Sequence, residues 1–305
     1  MDRRTALKTL VGSALGGIAS AQTTPPAASF TFRYVLASAM YGNIKLAEIV
    51  PQVRKTGSLG LDLWGKPHGT QREEVDAMGL DAAAALFEQA EVKPLVSTRY
   101  PLGCFGLQPE MPVLKRLGGK ILVCGSSGPK DAPVAEIPAL MKDFLEKMKP
   151  HADAASAHGL VIAIENHSNQ LLSSPESILE FARQNTHPAL GVAFAPHHLH
   201  AVTAQIPALI RALGKKNLPF FYFQEHGIGA KEKVAKEVEL EQLPGRGSLD
   251  YTPIVGALKE IGFDGYAEIF MHPTPRGVPI LPTATEITDA INESRDYIEK
   301  CLSRV

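Results

Sequence analysis

Beyond residue 30, short apolar runs alternate with longer amphipathic ones. FRYVLAS (32–38), LGLDLWG (59–65), VKPLVSTR (92–99), KILVCGS (120–126), LVIAIEN (160–166), LGVAFA (190–195), PFFYFQE (219–225) and GYAEIFM (265–271) are nearly continuous apolar segments, several rich in Val, Ile or Phe. Each predicts a buried strand. The segments between them carry helical periodicity, most clearly at 72–90 and 136–159. SPESILEFARQN (174–185) predicts a helix with Ser174 as N-cap and Pro175 in its first turn, and SLDYTPIVGALKEIG (248–262) one that stops at Gly262. Strands alternating with helices imply a parallel sheet. Eight such units in 305 residues match an α/β fold of the (β/α)8 TIM-barrel type, as a single domain over 30–305. An open doubly wound sheet is the runner-up, but no GxGxxG follows the first strand, which argues against its dinucleotide-binding version.

In such a barrel the active site lies at the C-terminal ends of the strands. The polar residues there are Asp62, Trp64 and His68, then Arg99, Glu165 and His167, His197 and His198, Gln224 and His226, and Glu268 and His272. Glu165 ends an almost wholly apolar strand, where a carboxylate is costly unless paired, hydrogen-bonded or bound to metal. His167 shares its side-chain parity and reads as support for a ligand. In APHHLH (195–200), His197 and His198 fall on opposite sides if the strand continues. Gln224 reads as a weak oxygen ligand and His226 as a nitrogen ligand. Arg246, in a Gly-flanked loop, and Arg276, in the Pro-rich HPTPRGVP (272–279), are cations placed to meet a substrate oxyanion. Residues 230–242 read as a solvated helix or lid face within the longest strand-to-helix connection.

Composition narrows the partners. The chain is 45% hydrophobic and 21% charged with a formal net charge of −1, and no basic stripe marks a nucleic-acid binder. Arg3-Arg4 precede a mildly apolar run ending in Ala-Ser-Ala (19–21) that is too short and Gly-rich to span a membrane. This resembles a twin-arginine export signal. The expectation is a signal and linker over 1–29, cleavage near Ala21 and a periplasmic protein. Cys104, Cys124 and Cys301 form neither a disulfide framework nor a CxxC site.

Three motifs resemble the xylose-isomerase-like barrels of the sugar phosphate isomerase/epimerase superfamily, in an exported bacterial branch. GLVIAIENH resembles that family's fifth strand, with its metal-binding Glu at Glu165. LGVAFAPHHL resembles the sixth, and PGRGSLDYTPIVGALKEIGFDGY the approach to the eighth. The departures are specific. The sixth-strand Asp falls on Ala195, while its His is kept as His198. The seventh-strand His appears only at His226. The eighth-strand Glu falls on Phe270, with Glu268 one side-chain step earlier.

The resemblance implies a rebuilt metal site of Glu165, His198, His226 and Glu268, two carboxylates and two imidazoles, suited to Mn, Zn, Co or Fe. It also implies catalysis by proton abstraction next to a carbonyl, with Glu165 and Glu268 as acid and base and His226 as a proton shuttle. Asp62, Trp64, His68, His167, Arg246, His272 and Arg276 would bind a small carbohydrate. The leading expectation is a metal-dependent sugar isomerase or epimerase. A lyase or hydratase acting on a keto-sugar or glycoside, and a non-catalytic sugar-binding barrel, remain as alternatives. The oligomeric state stays open between monomer and homo-oligomer.

Overall fold

Eight strands, β1 (Arg33–Ala37), β2 (Leu61–Trp64), β3 (Pro94–Thr98), β4 (Ile121–Gly125), β5 (Val161–Glu165), β6 (Leu190–Phe194), β7 (Phe220–Phe223) and β8 (Tyr266–Ile269), pair in parallel in chain order. β1 pairs with β8 to close the barrel. This computed structural model describes residues 30–305, so the expected export signal and linker lie outside the described residues. Each strand falls inside its predicted segment. Their apolar character is nearly continuous because both faces are covered: all residues of β6 and β7 are buried.

A helix follows every strand, running from Leu46–Lys55 after β1 to Ala284–Leu302 after β8. Ser174 caps Pro175–Gln184 through a capping box with Ser177. The predicted helix over 72–90 is instead two, Gln71–Met78 and Leu80–Gln89, broken at Gly79, whose φ of 84° no helix accepts. Among the described residues no helix is long and apolar enough to cross a membrane.

The connection from β7 to the helix Thr252–Glu260 folds over the barrel mouth as three short turns, Ile228–Ala230, Lys236–Glu239 and Leu240–Gln242. It is only partly the solvated face expected over 230–242, because Glu239, Leu240 and Gln242 are buried. Gln242 donates to the His272 carbonyl (2.8 Å) and accepts from the His272 amide (3.1 Å), so this connection docks on the β8 loop. Glu239 accepts from the Thr274 amide at 2.6 Å, and the Arg276 guanidinium donates to the carbonyls of Pro273 and Ala230.

Candidate metal and substrate site

The barrel interior holds a polar layer beneath its mouth. Asp62 on β2 and Glu268 on β8 are both fully buried. Thr98 donates to Asp62 Oδ2 at 2.7 Å, while Asp62 Oδ1 and both Glu268 oxygens lack a donor. Burial pushes the Asp62 carboxyl up to about 7, opposed by the Thr98 hydrogen bond and by the nearby Trp64 and Glu268 side chains. Burial also raises Glu268 well above the usual carboxylate range, and the Asp62 charge raises it further. One side-chain step nearer the mouth, Trp64 stacks on Phe270 with ring centroids 5.0 Å apart. Phe270 therefore fills, with an aromatic ring, the position where a carboxylate was expected from the resemblance, and Glu268 lies one layer deeper.

The second cluster forms where β5 and β6 empty side by side. The Asn166 side chain bonds both the carbonyl and the amide of Ala195, tying the two strand ends together. Pro196 starts a 3-10 segment, Pro196–Gln205, so β6 stops before the histidines. That turn changes the parity expected from an extended strand, and both His197 and His198 reach Glu165. Ligand atoms of Glu165, His197 and His198 all lie within 4.8 Å of one another. His198 Nε2 is 3.3 Å from Glu165 Oε1 but is not aligned as a hydrogen bond. Burial pushes Glu165 up to about 7, with the His167 charge pulling it back, and burial holds His198 down at about 4. Both nitrogens of buried His197 are without a partner.

The arrangement fits a divalent cation. One carboxylate and two neutral imidazoles converge, their donor atoms largely unsatisfied, at a place where burial penalises charge until a counter-charge is present. The mixed oxygen and nitrogen donors suit zinc or a similar first-row ion better than calcium or magnesium.

Above these residues opens a cavity of about 510 Å³ lined by seven histidines, His68, His167, His197, His198, His200, His226 and His272, together with Tyr100, Lys231 and Arg276. Burial holds His68 at about 4 and His272 well below its usual range, with Arg276 adding to both, so these imidazoles are neutral at pH 7. His167 Nδ1 lies 2.6 Å from the Ser168 carbonyl, which only accepts, so that nitrogen carries a proton and Nε2 is the nitrogen left to exchange one. The His167 ring sits 4.1 Å from the His198 ring.

The sequence-predicted residues thus divide. Glu165 and His198 share the compact group; His226 lies on the exposed rim stacked on His200 at 3.6 Å, and Glu268 pairs with Asp62 below. His68, His167, His272 and Arg276 line the cavity. Asp62 is sealed beneath it, and Trp64 packs on Phe270. Arg246 reaches outward to Glu293 at 2.6 Å because its loop is turned by Glu225, which accepts from the Gly245 and Leu249 amides. His197 was the residue sequence parity set aside. Its signal was Pro196, which ends the strand one residue before it.

Residues 106–301 match the family described as the xylose isomerase-like TIM barrel. A search of curated proteins finds no match. Among solved structures, IOLI protein with a binding zinc atom is 21% identical with a TM-score of 0.70, covering 89% of this chain and 100% of that one. D-psicose 3-epimerase, solved in the presence of D-fructose, is 14% identical with a TM-score of 0.66 over 89% and 99% of the two chains. The 3-keto-D-glucoside 4-epimerase YcjR from E. coli is 12% identical with a TM-score of 0.64 over 87% and 100%. At these identities the structural likeness speaks to fold alone. The match over 106–301, more than half of the 305 residues, places the chain in a family: it belongs to the xylose isomerase-like TIM barrels.

Proposed function

We propose that the protein is a metal-dependent isomerase or epimerase of a carbohydrate that works by removing a proton from the carbon next to a carbonyl. The observation that carries this reading is the convergence of Glu165, His197 and His198, within 4.8 Å, at a cavity lined by imidazoles and two cations. Glu165, His197 and His198 would hold the metal. Bound there, it would act as a Lewis acid toward the substrate's carbonyl and adjacent hydroxyl oxygens.

The chain's own residues supply the rest. His167, whose Nδ1 proton is held by the Ser168 carbonyl, takes the proton on Nε2. The C–H electron pair moves into the carbonyl, giving an enediolate whose negative charge faces Arg276 and Lys231. Delivery of a proton from water to the other face gives an epimer, and return of the His167 proton to the neighbouring carbon, with a proton passing between the two oxygens, an isomer. Glu268 takes no part in this reading, because the stacked Trp64 and Phe270 rings lie between it and the mouth. The epimerase activities named for two structural neighbours agree with this chemistry.

Solvent exchange tests it. Metal-replete protein incubated with a panel of ketoses in D₂O should wash deuterium into the carbon beside the carbonyl of at least one of them. His167→Asn should slow that exchange by roughly 10²-fold or more, the usual scale for loss of a general base, with metal content unchanged. Exchange at the wild-type rate in His167→Asn removes the assignment of the base. Absence of exchange with every ketose removes the enzymatic reading.

A further inference from the structure

Behind the imidazole-lined cavity lies a second chamber of about 480 Å³, between the 3-10 segment Pro196–Gln205 and the loop before the helix Thr252–Glu260. His197, His200 and His226 line both. The stacked His200 and His226 rings, 3.6 Å apart and 11° from parallel, stand at the boundary.

The two chambers differ in chemistry. The first has Lys231 and Arg276 in its wall. The second has neither Lys nor Arg; Pro196, Leu249, Pro253 and Ile254 make an apolar platform, with Thr203 and Ser248 at its edge. Its two acids are engaged by backbone amides, Glu225 by Gly245 and Leu249, and Asp250 by Thr252. Such a surface suits a group with one C–H face and a rim of hydroxyls, and has no Lys or Arg to pair with a phosphate. His197 is the independent sign that a ligand reaches this far. It is 6% exposed, it borders both chambers, and neither ring nitrogen has a partner. A cation beside Glu165 would satisfy one of those nitrogens and leave the other without a protein partner.

We infer that the second chamber is a subsite for a second, uncharged sugar ring, so that the substrate is a disaccharide or glycoside whose reacting ring sits in the first chamber and whose appended ring passes His200 and His226 into the second. This rests on the carbohydrate reading of the first chamber.

Calorimetric titration of the protein as purified, with D-fructose and with its glycosides turanose, lactulose and isomaltulose, tests the inference. At least one glycoside should bind tenfold or more tightly than fructose. Ala204→Phe fills the second chamber from an exposed position and should bring that ratio close to one. Ala201→Phe, exposed on the same segment and outside both linings, should preserve it. Fructose binding with no glycoside preference, or a preference that survives Ala204→Phe, overturns the subsite and leaves the carbohydrate reading standing. Failure of all four sugars to bind overturns both.

Discussion

Asp62 shows how far a single buried group can be followed from position to consequence. Its strand is apolar, its side chain points into the barrel, and burial raises its pKa from 3.8 to about 7. In the unfolded chain the carboxyl ionises near its ordinary value, so between pH 4 and 7 the folded state binds more protons than the unfolded one. Stability from this group is therefore full below pH 4 and is lost as pH rises through 7. Asp62→Asn removes the loss and keeps the shape. With each tenfold change in proton affinity worth about 1.4 kcal/mol, metal-free Asp62→Asn should exceed wild type in stability by up to about 4 kcal/mol at pH 8. At pH 4 the advantage should be close to nil. Urea unfolding at the two values reads the difference; an advantage equal at both would mean that Asp62 is ionised in the fold throughout. His68 and His198 run the other way: held near 4, they contribute stability above pH 6.5 that is lost as pH falls toward 4. Their opposition to the carboxyls makes Asp62→Asn more informative than the wild-type pH profile alone.

At the scale of elements, the β7 connection depends on one side chain. Gln242 pairs with both backbone groups of His272, donates to the Glu239 carbonyl and accepts from the Gln224 side-chain amide. Gln242→Ala leaves the Gln224 side-chain amide and the Glu239 carbonyl buried without this partner, at about 1–3 kcal/mol for each, while water reaches the part-buried His272 groups. The protein should lose roughly 2–4 kcal/mol, and amide exchange should quicken across residues 228–243 and 272–276 while β1 to β6 keep their protection. Uniform quickening would show that the connection is not a separate unit. The eight strands, the Ser174 cap and the alternation with helices were legible in the sequence, because burial on both faces and local capping leave signatures a few residues long. The split at Gly79 and the clamp at Gln242 were not. A positive φ is one of several fates open to a glycine, and Gln242 sits in a charged run whose exposed members mask its buried one. The site was half legible for the same reason. Glu165 announces itself by standing alone in an apolar strand, whereas the pairing of His197 with His198 depends on a turn after Phe194 that extended-strand parity does not describe. Glu268 on β8 and Phe270 just past its end occupy alternate layers, and only their depth in the barrel separates a buried carboxyl pair from a residue nearer the mouth.

The whole molecule is a closed barrel with the Glu165, His197 and His198 cluster at one end, and the sequence before residue 30 differs from it in composition. We propose that Arg3 and Arg4 direct export. Changing both to lysine should leave full-length precursor inside the cell, and undiminished export of that variant would remove the twin-arginine reading. A pathway that moves folded protein would also let the barrel bind its metal before transport. That the barrel holds such a metal is the claim on which the chemistry depends, and elemental analysis tests it most directly. Protein purified without added metal should contain close to one equivalent of zinc, manganese, iron or cobalt per chain. Glu165→Gln and His197→Ala should each lose most of it, while His226→Ala, altered only on the rim, should keep it. Wild-type protein free of metal even after incubation with each ion, or metal retained in full by both Glu165→Gln and His197→Ala, would contradict the account.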